Sequence, residues 1–466
     1  MNWKSLHSVY FLGIGGIGMS ALARWFRHLG VPVYGYDKTP TAFTQQLQGE
    51  GMTINFEDVV DAIPTAVSSD TKNRLIIWTP AIPKDSLQLN FFKSRDYLLK
   101  KRSEVLGMIT SQMTTVAVAG THGKTTTSSM IAHLLKHAGI NTAAFLGGVT
   151  QNYDSNLILH DEAKNEAPIV VVEADEFDRS FLQLHPNISV VTSLDADHLD
   201  IYEKVEEMTK SFGKFLAQTN KKGQAFIQNN AMTKLDRSQF EGLATLEYGL
   251  TQGSIHAANI RAGLASFTFD YLSQKIELKD IELKVPGFHN VENALAAISV
   301  ALYFGLKPKE IRDGLNVYKG VKRRFEIIHQ SEDMVYIDDY AHHPEEIRAF
   351  LSSVKAMYPI KKLTVIFQPH LYSRTRDFAT EFSESLSIAD EVILMEIYPA
   401  RELPIEGVSS TMLLDGIACK EKQVLTNGAI LDHLKKSTVE VLVTLGAGDI
   451  DRMVEPITNW IRDERI

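Results

Sequence analysis

Cysteine is nearly missing from this 466-residue chain: Cys419 is the only one. That excludes an intramolecular disulfide and any metal site built on several thiolates, and it fits a reducing compartment. Long apolar runs are missing too, since no stretch approaches the ~20 residues that span a bilayer. Met1-Asn-Trp-Lys-Ser-Leu-His7 leads into a strand-like run without a signal-peptide core. The expectation is a cytoplasmic protein with no membrane insertion. A positive surplus is also lacking: 48 Lys+Arg stand against 57 Asp+Glu, a formal charge of -9. No basic field is available to grip a phosphate backbone, so no nucleic-acid partner is expected. What is present is ordinary globular composition, 44% hydrophobic and 23% charged, in a length that predicts about three domains.

The sharpest local signal is Ala119-Gly-Thr-His-Gly-Lys-Thr-Thr-Thr127. It follows an apolar strand over 115–119 and opens a helix over 124–138, the order required of a phosphate cradle. Gly120 and Gly123 let the backbone curl so that N–H groups of Thr121 and His122 turn inward. Lys124 would meet terminal phosphates, and Thr125, followed by Thr126, supplies a hydroxyl where such loops hold Mg2+. The ordinary pattern G-x-x-x-x-G-K-[ST] asks for glycine at 118, where this chain has Val118. A plain strand-to-helix loop with a solvated lysine is the competing interpretation.

A second glycine turn lies near the N-terminus. Residues 8–12 read as a strand, followed by Gly13-Ile-Gly-Gly-Ile-Gly18 and a helix whose apolar Met19, Leu22, Phe26 and Leu29 recur every three or four residues before Gly30. The next strand, 32–36, ends in Asp37. Gly13, Gly15, Gly16, Ile17, Gly18 and Asp37 thus reproduce a dinucleotide-binding fingerprint. Its physics is a diphosphate resting on a helix N-terminus, so a nicotinamide dinucleotide, a UDP-sugar or merely a tight turn all satisfy it.

Polar clusters recur wherever a predicted strand ends. The run over 168–172 finishes in Glu173-Ala-Asp-Glu-Phe-Asp178, which makes Glu173 the partner of Thr125 on Mg2+, a cation that takes oxygen ligands. Asp175, Glu176 and Asp178 either act directly or merely solvate the loop. The strand over 188–192 runs into Asp195-Ala-Asp-His-Leu-Asp200, where His198 is an ion-pair partner or a metal ligand. Residues 248–284 alternate like antiparallel strands. Asn290 and Asn293 share a face at the start of an alanine-rich helix, either as purine contacts or, for Asn290, as an N-cap. Beyond Lys322-Arg-Arg-Phe-Glu326, strands over 335–337 and 363–367 run into Asp338-Asp-Tyr-Ala-His-His-Pro344 and Gln368-Pro-His-Leu-Tyr-Ser-Arg374, and a later strand meets Gly446-Ala-Gly448. The expected fold is α/β with doubly wound parallel sheets, in domains 1–107, 108–319 and 320–466.

Taken together, Gly-Thr-His-Gly-Lys-Thr-Thr, Glu-Ala-Asp-Glu, Asp-Ala-Asp-His, His-Asn-x-x-Asn, Arg-Arg-Phe and Asp-Asp-Tyr-Ala-His-His-Pro resemble the Mur ligases over essentially the whole chain, and most of all the alanine-adding branch. The resemblance implies a Rossmann-like N-terminal domain for a UDP-sugar, a central P-loop-type ATPase domain and a Rossmann-like C-terminal domain. It implies ATP and Mg2+ as cofactors, UDP-N-acetylmuramate and L-alanine as substrates, and an acyl phosphate between them. By motif position, Lys124, Glu173 and His198 would be catalytic, and Thr125, Glu173 and His198 would hold metal. Gly120 to Thr126, Asn290, Asn293, Arg324 and Asp339 would bind ATP, while Tyr340, His342 and Arg374 would receive the amino acid. Leu371 stands where some members carry arginine, and no motif marks Lys210 or Lys214 for carbamylation. A tripeptide-adding sister activity and a nicotinamide-dependent dehydrogenase are the alternatives.

Overall fold

The computed structural model describes residues 3–195, 205–400 and 402–464. The chain divides into two compact units, Met1–Ser254 with Ala296–Ile311 and Ile255–Leu295 with Arg312–Ile466.

The first unit holds two sheets, parallel throughout except for one hairpin. In one, β1 (Ser8–Leu12), β2 (Val33–Tyr36), β3 (Thr53–Asn55), β4 (Arg74–Trp78) and β5 (Leu98–Lys101) stand in the order β3-β2-β1-β4-β5. Every residue of β1 is buried, as expected of a central parallel strand covered on both faces. Helix α1 (Ile17–His28) follows β1 directly and buries Met19, Leu22, Trp25 and Phe26. It stops before Gly30, whose φ of +77° is the left-handed conformation that closes helices.

The other sheet of this unit contains β6 (Thr114–Ala119), β7 (Thr142–Thr150), β8 (Ser155–Ile158), β9 (Ile169–Glu173), β10 (Ile188–Val191), β11 (Gln224–Gln228) and β12 (Ala244–Gly249), ordered β12-β11-β10-β6-β9-β7-β8. β6 lies between β10 and β9 and is parallel to both. β7 runs four residues past the expected end at 146, because it forms an antiparallel hairpin with β8 that pairs from Ala144 to Thr150. α1 packs on this hairpin, with Trp25 5.4 Å from the ring of Phe145.

The second unit carries an antiparallel trio, β13 (Ile255–Ala262), β14 (Phe267–Ser273) and β15 (Glu277–Leu283). Its six-stranded sheet is built from β16 (Glu326–Gln330), β17 (Val335–Asp339), β18 (Leu363–Phe367), β19 (Glu391–Leu394), β20 (Glu421–Val424) and β21 (Val441–Leu445), ordered β16-β17-β21-β18-β19-β20. Only β16 is antiparallel to its neighbour. The sequence places the end of β17 at Ile337, yet the strand continues through Asp338 and Asp339, which pair with Thr444 and Leu445 of β21. Tyr336, Ile366, Ile393, Leu442 and Trp460 form its core. No helix among the described residues is long and apolar enough to cross a membrane.

Close approach of backbones limits substitution in this fold. A Cβ added to Gly107 would fall on the carbonyl oxygen of Gln183, whereas one added to Gly428 would meet nothing within 4 Å. Gly107→Ala is expected to cost about 1–3 kcal/mol through overpacking, read as a lowered thermal midpoint. Gly428→Ala, inside a helix, is expected to be neutral or slightly stabilising.

Candidate active site

The loop after β6 is shaped by close contact. Gly120 has a φ of +144°, and a Cβ there would collide with Thr192 Oγ1 and lie 2.9 Å from Ser193 N, so only glycine fits against the end of β10. Gly123, at φ +80°, turns the chain into the helix Lys124–His137. The intervening backbone is pinned: Ser193 Oγ accepts the N–H of His122 at 2.7 Å, and Thr121 Oγ1 accepts that of Asp195 at 3.0 Å. Thr125 and Thr126 are buried in the helix's first turn.

Lys124 does not reach into solvent. Its Nζ donates to the carbonyls of Gly120 at 2.6 Å and Thr121 at 3.3 Å, and it forms an ion pair of 2.9 Å with Glu176, which is fully buried. Burial pulls the lysine pKa down, but Glu176, Glu173 and Asp175 more than reverse this, so it lies above the usual value and the ammonium is retained.

Glu173 ends β9, where its carboxylate meets the Thr125 hydroxyl and accepts the N–H of Gly147 at 2.9 Å. Burial raises its pKa, opposed by Lys124 and by the Thr125 hydrogen bond. The neighbouring acids take other posts: Asp175 accepts from Arg102 at 3.3 Å and Asp178 from Lys101 at 3.3 Å. Thr125 and Glu173 offer a hydroxyl and a carboxylate, a donor set that fits Mg2+, which keeps waters and needs few protein ligands. No cluster of three or more His, Cys, Asp or Glu that could hold a metal occurs among the described residues. His198 lies outside them. Lys210 is exposed and paired with Glu207 at 3.0 Å, and Lys214 is also exposed.

A cavity of about 970 Å³ begins at the first glycine turn and extends to Gly147, Glu173 and Asp175. Its size suits a large small-molecule ligand. Gly13, Gly15, Gly16, Ile17, Gly18 and Asp37 all line it. Asp37 also accepts the N–H of Gly15 at 2.7 Å, so it shapes the turn as well as facing the cavity. Arg102, which the sequence reading passed over, lines the same space; a Cβ on Gly18 would come within 2.7 Å of its guanidinium. The basic run Lys100-Lys101-Arg102 at the end of β5 was the available signal.

The second unit gathers the remaining candidates. Asn290 is the third residue of the helix Phe288–Tyr303 and donates back to Pro286 O at 2.8 Å, so it is not an N-cap. Asn293 donates to Asn290 Oδ1 at 3.2 Å, and both are buried. Next to them His289, overlooked in the sequence, is pushed down to about 4 by burial and stays neutral.

Arg324 lies 4.8 Å over the ring of Tyr340. The preceding Arg323 has a left-handed φ of +60°, and its guanidinium reaches Asp338 at 2.9 Å and Gly446 O at 2.7 Å. Phe325, at φ +47°, is held by Asp339, whose Oδ2 accepts its N–H at 2.6 Å while Oδ1 accepts that of Ala341 at 2.7 Å. His342 packs against Tyr340 at 5.2 Å and against His370 at 5.9 Å, and His370 stacks on Tyr398 at 5.7 Å. Arg374 sits in the short helix Tyr372–Asp377 after β18. His370, Tyr398 and Glu402, which holds the N–H of Ser373 at 3.0 Å, were not singled out from the sequence.

Three family models match successive parts of the chain: "Mur ligase family, catalytic domain" over residues 8–114, "Mur ligase middle domain" over 118–301 and "Mur ligase, glutamate ligase domain" over 323–450. A UDP-N-acetylmuramate–L-alanine ligase of Flavobacterium psychrophilum is 47% identical, covering 97% of this chain and 98% of its own. One from Cytophaga hutchinsonii is 45% identical over 98% and 97%. The crystal structure of a UDP-N-acetylmuramate–alanine ligase from Thermotoga maritima superposes with a TM-score of 0.80 at 29% identity, covering 98% of this chain and 99% of that one. A murein peptide ligase from Psychrobacter arcticus, at 23% identity and a TM-score of 0.68 over 98% and 99%, shares the fold.

The Asp339 carboxyl supplies a pH test. Burial lifts it from 3.8 to about 6, against the pull of Arg324 and of its two backbone N–H donors. Between these values the folded chain keeps a proton that the unfolded chain has lost. Asp339 therefore adds stability at acid pH that disappears as pH rises through about 6, a change of about 3 kcal/mol. Asp339→Asn does not titrate, so its thermal midpoint is expected to shift upward relative to the parent between about pH 4 and 7 and then level off. A difference that stays flat with pH would mean an ordinary carboxyl.

Proposed function

The chain belongs to the Mur ligase family, and from that membership we propose that it joins L-alanine to the lactyl carboxylate of UDP-N-acetylmuramate, consuming ATP and releasing ADP and phosphate in peptidoglycan precursor synthesis. The observation that carries this is the continuity of the cavity. It runs from an anion-binding glycine turn to Glu173, the acid that also meets Thr125 of the phosphate loop. A sugar nucleotide seated by its diphosphate at Gly13–Gly18 can then present its carboxylate to the phosphates of ATP.

Direct condensation of a carboxylate with an amine is unfavourable in water, so the carboxylate is first activated. One of its oxygens attacks the γ-phosphorus, the bond to the ADP oxygen breaks, and an acyl phosphate forms. The amine of alanine then attacks the acyl carbon, loses a proton, and phosphate departs with its oxygen. Lys124 holds a positive charge at the transferring phosphoryl group, where charge stabilisation is worth most. Thr125, Glu173 and, by motif position, His198 would hold Mg2+, which would supply further neutralisation of phosphate charge. By motif position the loop from Gly120 to Thr126 serves the phosphates of ATP. By motif position Asn290, Asn293, Arg324 and Asp339 serve the nucleotide, and Tyr340, His342 and Arg374 serve the amino acid. The corresponding domains are 1–107 for the UDP-sugar, 108–319 for ATP and 320–466 for the amino acid, and the substrates set the reaction in the cytoplasm.

Lys124→Ala is expected to reduce phosphate release with ATP, UDP-N-acetylmuramate and alanine by about 10²–10³-fold while calorimetric binding of UDP-N-acetylmuramate stays near that of the parent. Loss of both would overturn the division between the two glycine turns. In the same assay, faster turnover with a tripeptide acceptor than with alanine would overturn the choice of amino acid.

A further inference from the structure

Asn156 has an environment that packing alone does not call for. It lies on β8 and is fully buried. Its three hydrogen bonds all go to one neighbour, α1: Nδ2 donates to Ile17 O at 2.6 Å and to Ser20 Oγ at 3.1 Å, and Oδ1 accepts from Arg24 Nη1 at 2.5 Å. Positions 17, 20 and 24 share a helix face. Arg24 is itself clamped by Glu50, whose carboxylate accepts from Nε at 2.8 Å and from Nη2 at 2.7 Å. The amide's two donors are thereby used and its acceptor engaged. An apolar residue, like Leu157 and Ile158 beside it, would pack against the helix without the desolvation cost of an amide.

Ile17 opens α1, so the peptide that Asn156 grips belongs to the first turn of the helix, where Ile17 and Gly18 line the cavity. The other strand of the same hairpin supplies Gly147, whose N–H holds Glu173 at 2.9 Å. One hairpin thus grips the diphosphate turn through β8 and the acid of the phosphate loop through β7. We propose that Asn156 is a positioning residue: by tying the first turn of α1 to β8, it sets the span between the diphosphate seat and Glu173, and hence where a seated sugar nucleotide presents its carboxylate. The proposal rests on the ligase reading for the identity of that ligand.

Asn156→Asp keeps the size and the acceptor for Arg24 but removes both donors to α1 and sets a carboxylate against Ile17 O. Asn156→Leu removes every polar contact at similar volume. Steady-state phosphate release with each substrate varied in turn, and calorimetric binding of UDP-N-acetylmuramate alone, are the readouts. Both variants are expected to raise the KM and Kd for UDP-N-acetylmuramate at least about tenfold and to lower kcat by about tenfold or more, with the KM for ATP within about twofold of the parent. Because KM does not depend on the folded fraction, partial misfolding leaves this pattern readable. Arg24→Met, which frees the Oδ1 side and also releases Glu50 but keeps both Asn156 donors on α1, is expected to move the same constants in the same direction by less. Ser20→Ala, which keeps the Asn156 bond to Ile17 O but removes the hydroxyl that also bonds both Asn156 and Ile17 O, is expected to move the same constants by less than the Asn156 variants. A lowered thermal midpoint in both Asn156 variants with unchanged constants, or equal rises in the KM for ATP and for the sugar nucleotide, would overturn the positioning role. Absence of alanine-dependent turnover in the unaltered enzyme would instead overturn the ligase reading.

Discussion

A lysine folded beneath a glycine loop has to be neutralised, and much of the first unit is arranged around how that is done for Lys124. Its partner Glu176 is completely buried, the contact is 2.9 Å, and two loop carbonyls take the remaining hydrogens. Removing either member of such a pair leaves an uncompensated charge, a loss far larger than the pair's own net contribution. The pair therefore dictates its neighbourhood: the loop after β9 must bend inward to deliver Glu176, and this bend leaves Asp175 and Asp178 facing the basic end of β5. Glu173 stays at the strand's end, against Thr125 and the cavity.

Both glycine turns place a helix start directly after a parallel strand, the arrangement that in general suits oxyanions. Parallel strands make this cheap to arrange, because their C-terminal ends all open on one edge of a sheet. The second unit uses the same edge differently. Its β17, β18 and β21 deliver Tyr340, His342, His370 and Gly446 to one edge, where side chains in addition to N–H groups do the gathering. Two left-handed residues, Arg323 and Phe325, are tolerated there because Asp338 and Asp339 hold that loop in place.

Much of this was legible in the residues themselves. The strand-glycine-helix order around Gly13–Gly18 and Gly120–Lys124 depends on local chemistry, which sequence states directly. Glu173 was readable because a carboxylate closing an apolar run has few other places to be. Arg102, Glu176 and Asn156 were harder to read: each acts through a partner 52 to 139 residues away or across a cavity, and neither periodicity nor spacing encodes such a distance. Asn290 shows the same limit, since N-cap and helix interior differ by only a turn of chain.

Sequence by itself determined the fold class, the two strand-glycine-helix turns and the membership of the chain in a family of ligases, because each is written in contiguous motifs. It marked the turn near Gly13 as a candidate diphosphate seat without specifying what would be joined to the diphosphate. Tertiary structure decided that this seat and Glu173 open on one cavity, that Lys124 is paired with Glu176 in preference to its neighbours, and that β7 and β8 grip both ends of the site. Those are relations between separate segments, set by packing and by the need to satisfy every buried polar group.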